Sequence, residues 1–279
     1  MKPWQLIRHE RMDLTDFLIH LTRDGGEPYL DAKDRLKKIL RQGFIRPSFA
    51  PLANRFSAGK TRPTIKGPRP AVCLTDQPIW ALVKMEQLRL WNKRYSGYGL
   101  AYYKPYLHCH GARPVIYGDE NILGSLAPAG HREYRKDREI YINGIPSHLQ
   151  YLWARYLPAW PNDDNPPIDF TWEREWRFPV HDADTIENAG LEFPIGLGAR
   201  LCAVIVRYDD DIREFRKILK TRALKSKRIQ AMQNRIVSLE TAEQQIEAGN
   251  MEYGRLDTWP DFKGQFDPPP KRTAHLRSK

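Results

Sequence analysis

The run Leu201-Cys202-Ala203-Val204-Ile205-Val206 constrains the fold more than any other stretch of the chain. It is apolar without alternation, the pattern of a strand that other layers cover on both faces. Such a strand belongs inside a sheet with helices around it. Phe17-Leu18-Ile19-His20-Leu21-Thr22-Arg23 supplies a first strand by alternation, with Phe17, Ile19 and Leu21 on one face and Leu18, His20 and Thr22 on the other. Val72-Cys73-Leu74-Thr75 reads as a second buried strand, and two more are predicted at 99–103 and 114–117.

Helical spacing of Leu36, Ile39 and Leu40 predicts a helix between Leu30 and Gln42, and Gly43 supplies its left-handed stop. Asp76-Gln77-Pro78 opens a helix running to about Lys93, with Pro78 suited to the first turn. A short helix is expected near 105–110, and another over 147–157 with Trp153 and Tyr156 on its apolar side. Beyond Tyr208 two charged amphipathic helices are predicted, over 210–225 and 227–248. The long loop at 46–70 and the linker at 158–167 are rich in proline, and neither shows periodicity. The fold class expected is α+β: a mixed β core with surrounding helices over residues 1–208, a basic helical extension over 209–266, and a disordered tail over 267–279.

At 279 residues the chain can bury a sizeable core. No apolar run is long enough to span a bilayer, and no leader pattern opens the sequence, so a cytoplasmic protein with no membrane partner is expected. Cys73, Cys109 and Cys202 lie far apart, which argues for core positions and against a disulfide framework or a metal centre. The formal charge of +11 points to a polyanionic partner, and nucleic acid is the commonest. From Lys33 to Arg69 the only acid is Asp34. Within that stretch Arg46, Arg55, Lys60, Arg62, Lys66 and Arg69, interleaved with Phe49 and Phe56, are candidates for a loop that tracks phosphates. A second basic run extends from Arg213 to Arg228.

The candidate chemistry lies in Phe170-Thr171-Trp172-Glu173-Arg174-Glu175-Trp176-Arg177-Phe178-Pro179. As a strand it would place Glu173, Glu175 and Arg177 on one face and Trp172, Trp176 and Phe178 on the other, the aromatic face entering the core. Paired carboxylates on an open face suit an enzyme that stabilises a cationic sugar.

These residues carry a resemblance. His20-Leu21-Thr22 on the first strand, Leu36 to Ile45 with its Ile-Leu-x-x-Gly-x-Ile turn, and Glu173-Arg174-Glu175 on a late strand resemble the ADP-ribosyltransferase fold, and within it the DarT-type toxins that modify DNA. Val72 to Leu82 and Gly111 to Tyr117 look similar to bacterial abortive-infection proteins. The resemblance implies an anti-phage enzyme that uses NAD and acts on DNA, modified phage DNA included. Glu175 would hold the ribose 2'-hydroxyl and stabilise the developing cation, and Glu173 would orient or deprotonate the acceptor. His20, Thr22 and Arg23 would contact the cofactor. A neutralising partner protein would be a further expectation. The toxins carry an arginine beside the proline that opens the next helix, whereas here Asp76 stands there, and its carboxylate repels pyrophosphate unless Arg23 or another cation compensates.

Two other readings stay open. A DNA glycosylase excising modified phage bases also cleaves an N-glycosidic bond through a cationic sugar, needs no NAD, and could use Asp76 to activate water. A nucleic-acid-binding abortive-infection protein without catalysis would use the same basic surface and keep Glu173 and Glu175 as structural residues.

Overall fold

The computed structural model describes residues 11, 13–25, 30–47, 65–87, 96–119, 122, 133–136, 139–142, 144–156, 171–180, 190–193, 202–223, 229 and 231–260. β1 (Phe17–Leu21) leads to helix α1 (Ala32–Gln42), the short strand β2 (Phe44–Ile45), β3 (Ala71–Thr75) and helix α2 (Ile79–Gln87). β4 (Gly99–Tyr103), helix α3 (Lys104–Cys109), β5 (Arg113–Pro114), β6 (Ile116–Gly118) and a hairpin of β7 (Glu133–Lys136) with β8 (Glu139–Ile142) follow. Then come β9 (Trp153–Arg155), β10 (Glu175–Pro179), β11 (Leu191–Glu192), β12 (Cys202–Val206), helix α4 (Asp209–Ala223), β13 (Ile236–Ser238) and helix α5 (Leu239–Glu247).

The main sheet runs in the order β13-β12-β4-β1-β3-β10-β5. Only β13, parallel to β12, departs from antiparallel pairing. β12 is buried at every residue, as its apolar run requires. One face of the sheet presents Leu18, Val72, Leu74, Leu100, Tyr102, Val204 and Val206 to Leu36 and Leu40 of α1 and Phe215 and Leu219 of α4. The other presents Phe17, Ile19, Ala101, Ala203, Ile205 and Val237 to α2 and α5. Helices therefore cover both faces, making an α+β fold of three layers. Each fully buried leucine or phenylalanine contributes about 1.5–3 kcal/mol.

α1 shows why its sequence stops where it does. Asp31 caps the start by accepting from the Asp34 amide at 2.7 Å, and Gly43 ends the helix at φ 89°, its N–H donating to Ile39 O at 2.7 Å.

Three expectations are corrected. Residues 209–260 are no appended extension: β13 continues the main sheet beside β12, α4 joins the α1 layer and α5 the α2 layer. Within them, the helix expected over 227–248 resolves into a 3-10 turn at Ala231–Asn234, β13 and α5, because Ile236 and Val237 pair along the otherwise open edge of β12. The helix expected over 147–157 is a 3-10 turn, Ser147–Leu152, running into β9. Gln150 forces that change. Its side-chain amide accepts from Ile142 N–H at 3.0 Å and donates to Ile142 O at 2.9 Å and Ile145 O at 2.7 Å, closing the loop on β8. The linker at 158–167 and the tail at 267–279 lie outside the described residues, as does the α2 continuation past Gln87.

Candidate active site

The main sheet has a seam. β1 pairs with β4 from Phe17 to Leu21, and β3 pairs with β10 from Ala71 to Thr75. Between β1 and β3 the ladder is a single pair, Ile19 with Thr75. His20 spans the gap beyond it, with Nδ1 2.9 Å from Cys73 O. Burial holds this imidazole below the ordinary histidine range, so it is neutral near pH 7, donates from Nδ1 and keeps Nε2 as an acceptor.

Thr75 also pairs with Glu175, which places Glu175 two strands, about 10 Å, from Ile19. Cross-strand partners share a face, so Glu175 lies on the side of Ile19, Thr75 and Cys73, whereas His20 follows Leu18 on the other. The two candidates meet at one seam from opposite faces of the sheet.

The charged face of β10 is an inner face. Arg177 is 1% exposed and grips the Glu175 carboxylate with Nε to Oε1 at 2.9 Å and Nη2 to Oε2 at 3.1 Å. Its Nη1 donates to Trp153 O at 3.2 Å and to Tyr151 O. Those carbonyls belong to the 3-10 turn and β9, which fold over this side. The Glu175 N–H donates to the Tyr117 hydroxyl at 3.2 Å, and Glu175 O accepts from Val115 N–H at 2.9 Å. Burial, and then the charges of Glu175 and Glu173, push the Tyr117 phenol up to about 12. Burial and the Glu175 charge likewise push up the Cys73 thiol, which makes it a poor nucleophile.

The strand does not extend back to Glu173. Thr171–Glu173 forms a 3-10 turn and Arg174 takes φ 45°, a left-handed conformation that costs a residue with a Cβ about 1–2 kcal/mol. Three successive residues hold three successive carbonyls of this turn. Gln77 Nε2 donates to Trp172 O, the Thr75 hydroxyl to Glu173 O at 2.5 Å, and the Asp76 N–H to Arg174 O at 3.0 Å. Glu173 is thereby buried beside Glu175's strand end, while Trp172, expected in the core, is 40% exposed. Trp176 and Phe178 do pack against the core, on the α1 side.

Asp76 is ion-paired. Lys104 Nζ lies 2.9 Å from Oδ1, and Arg174 Nη2 lies 3.8 Å from Oδ2 while its Nη1 donates to Asp13 O. The trio keeps one net positive charge, counted as two cations and one carboxylate.

Other candidates lie apart. The Thr22 hydroxyl is buried 2.8 Å from Ala32 O and 3.1 Å from Tyr98 O, tying β1 to α1 and β4, and Arg23 is exposed beside it. Arg46 is exposed over the Phe44 ring, Lys66 is buried, and Arg69 Nη1 lies 3.5 Å from His148 O, so these three form no common phosphate-tracking row. Arg55, Lys60 and Arg62 fall outside the described residues. Sequence reasoning missed Tyr117, Lys104 and Arg174. Only the last carried a signal, its place between two glutamates.

Among the described residues no group of His, Cys, Asp and Glu is arranged to hold a metal ion, and no helix is long and apolar enough to cross a membrane. No known protein family matches the chain, and no curated protein or solved structure matches it either.

Proposed function

We propose that the protein is a DNA-directed ADP-ribosyltransferase of DarT-like type, acting in anti-phage defence. The observation that carries this reading is the Glu175 carboxylate, fixed by Arg177 at the first residue of β10, with Glu173 two residues before it on a pinned turn. A carboxylate held at both oxygens by a buried guanidinium is preorganised, and each oxygen keeps a lone pair for a ribose hydroxyl. Glu175 would accept from that hydroxyl and offset positive charge at the neighbouring anomeric carbon. Glu173 would accept the proton of the attacking group on the DNA base.

The Asp76 environment bears on the cofactor. An isolated carboxylate would repel pyrophosphate, but Lys104 and Arg174 offset the charge of Asp76, which removes that objection to NAD. When bound, NAD would supply the ADP-ribosyl group by cleavage of its nicotinamide–ribose bond. The ion pairs on Asp76 also weigh against its use as a water-activating base, which disfavours the glycosylase reading.

The test incubates the protein with single-stranded, duplex and modified phage DNA, with and without NAD, and follows DNA mass and free base by mass spectrometry. A gain of one ADP-ribose that requires NAD and is lost in Glu175→Gln is the expected result. Free base released without NAD would replace this reading with the glycosylase, and neither product would leave a binding protein.

A further inference from the structure

α1 and α4 lie side by side and run the same way. Lys33 meets Asp211 at 2.6 Å and Glu214 at 3.0 Å, Lys37 meets Glu214 at 2.8 Å, and Arg222 lies against Gly43. These pairs advance together along both helices, and they consume the acids of α4 that face α1. Beyond the first turns, the outer side is left with charge of one sign. Lys38 and Arg41 on α1 and Arg213, Lys217 and Lys220 on α4 are all exposed, and among the described residues none of them has an ion-pair partner. Arg213, Lys217 and Lys220 follow an i, i+4, i+7 pattern, a single helical face about 10 Å long. The remaining acids, Asp34, Asp209 and Asp210, stand in the first turns, where a helix N-terminus favours them.

The fold alone does not call for this face. Like charges three and four residues apart weaken a helix, and the helix dipole rewards cations only in the last turn, which covers Arg41 and Lys220 but not Arg213 or Lys217. A polyanion does call for it. The axes of two packed helices lie about 8–10 Å apart, and a duplex crossing them brings one phosphate per about 1.7 Å of its axis.

We propose that the outer face of α1 and α4 docks the phosphate backbone of nucleic acid. An anionic membrane is the competing partner for such charge, but peripheral helices insert an apolar face. The exposed large apolar side chains Ile116, Ile122, Leu149, Trp172, Tyr208 and Met251 all lie outside both helices. The proposal rests on nucleic acid being the acceptor and is independent of Glu175.

The experiment measures binding of a fluorescein-labelled random-sequence duplex to the full chain across a salt series, with product formation followed separately. The triple replacement of Arg213, Lys217 and Lys220 by Gln is expected to make the slope of log K against log salt shallower by roughly 2 to 3, at about 0.9 for each phosphate no longer neutralised. The double variant Lys38→Gln with Arg41→Gln should make it shallower by roughly 1 to 2 by the same rule and serves if the triple variant does not fold. Arg46→Gln with Arg69→Gln should leave the slope unchanged. An unchanged slope in folded α4 and α1 variants, a shallower slope confined to the Arg46 and Arg69 variant, or no duplex binding by the parent protein at low salt would each overturn the proposal. So would charge-dependent binding to phosphatidylserine vesicles without binding to duplex. Weakened duplex binding in the α4 and α1 variants, with product chemistry absent throughout, would uphold this surface while removing the transferase reading.

Discussion

Arg177 reaches back along its own strand to hold both oxygens of Glu175, and it does so from beneath, 1% exposed, with two further bonds to the main chain over it. The arginine is thus a positioning residue whose loss strands a carboxylate in a covered site. Removing one member of a buried pair costs about 3–5 kcal/mol, so Arg177→Ala is expected to lower the urea midpoint sharply. Glu175→Gln retains one acceptor for the guanidinium. It also leaves the buried guanidinium without its counter-charge, so it should lower the urea midpoint too, though by less than Arg177→Ala, while abolishing product, which urea titration and the mass assay read together.

Histidine 20 makes stability depend on pH. Burial lowers its folded pKa, whereas in the unfolded chain it titrates near the ordinary value of about 6.5. The unfolded state therefore binds the proton first on acidification, so His20's penalty is absent above that value and grows as pH falls through it towards the folded pKa. His20→Asn is expected to flatten the fall of Tm between about pH 7 and pH 5. Parallel melting curves for the two proteins would show that another group sets the dependence.

Arg174 separates backbone strain from charge. Glycine would relieve a left-handed conformation worth about 1–2 kcal/mol, while losing the charged bond to Asp13 O, worth about 1.5–3 kcal/mol. Arg174→Gly should therefore melt within a few degrees of the parent. Because it removes a cation from the Asp76 corner, it should nonetheless raise the KM for NAD. A variant that melts like the parent and keeps its KM would remove Arg174 from the site.

Gly43 tests the helix stop. At φ 89° any other L-residue is strained, and a Cβ there would sit 2.6 Å from Arg222 Nη2. Gly43→Ala is expected to destabilise by about 1–2 kcal/mol in thermal or urea unfolding. The exposed neighbour Gln42→Ala should leave stability nearly unchanged.

Much of this was legible in the residues. β1, β3, β4, α1 and β12 all announce themselves by local pattern, and the alternation of Trp176, Arg177 and Phe178 announces β10. What escaped depended on partners distant in sequence. The inward turn of Arg177 is decided by Tyr151 and Trp153 folding over it, and the 3-10 turn at Glu173 by Thr75, Asp76 and Gln77. Ile236 and Val237 suit helix or strand equally, and only the edge of β12 settles which. Likewise the basic stretch from Lys33 reads as one surface until Asp211 and Glu214 arrive from the far end of the chain.

That late arrival matters to anyone who shortens the polypeptide. A fragment ending at residue 208, the boundary its composition suggests, would lose β13 and both helices that flank it. Cys202–Val206, buried along its whole length in the intact chain, would become a bare sheet edge of purely apolar residues. Exposed edges of that kind recruit other strands, so such a fragment is expected in inclusion bodies rather than in solution.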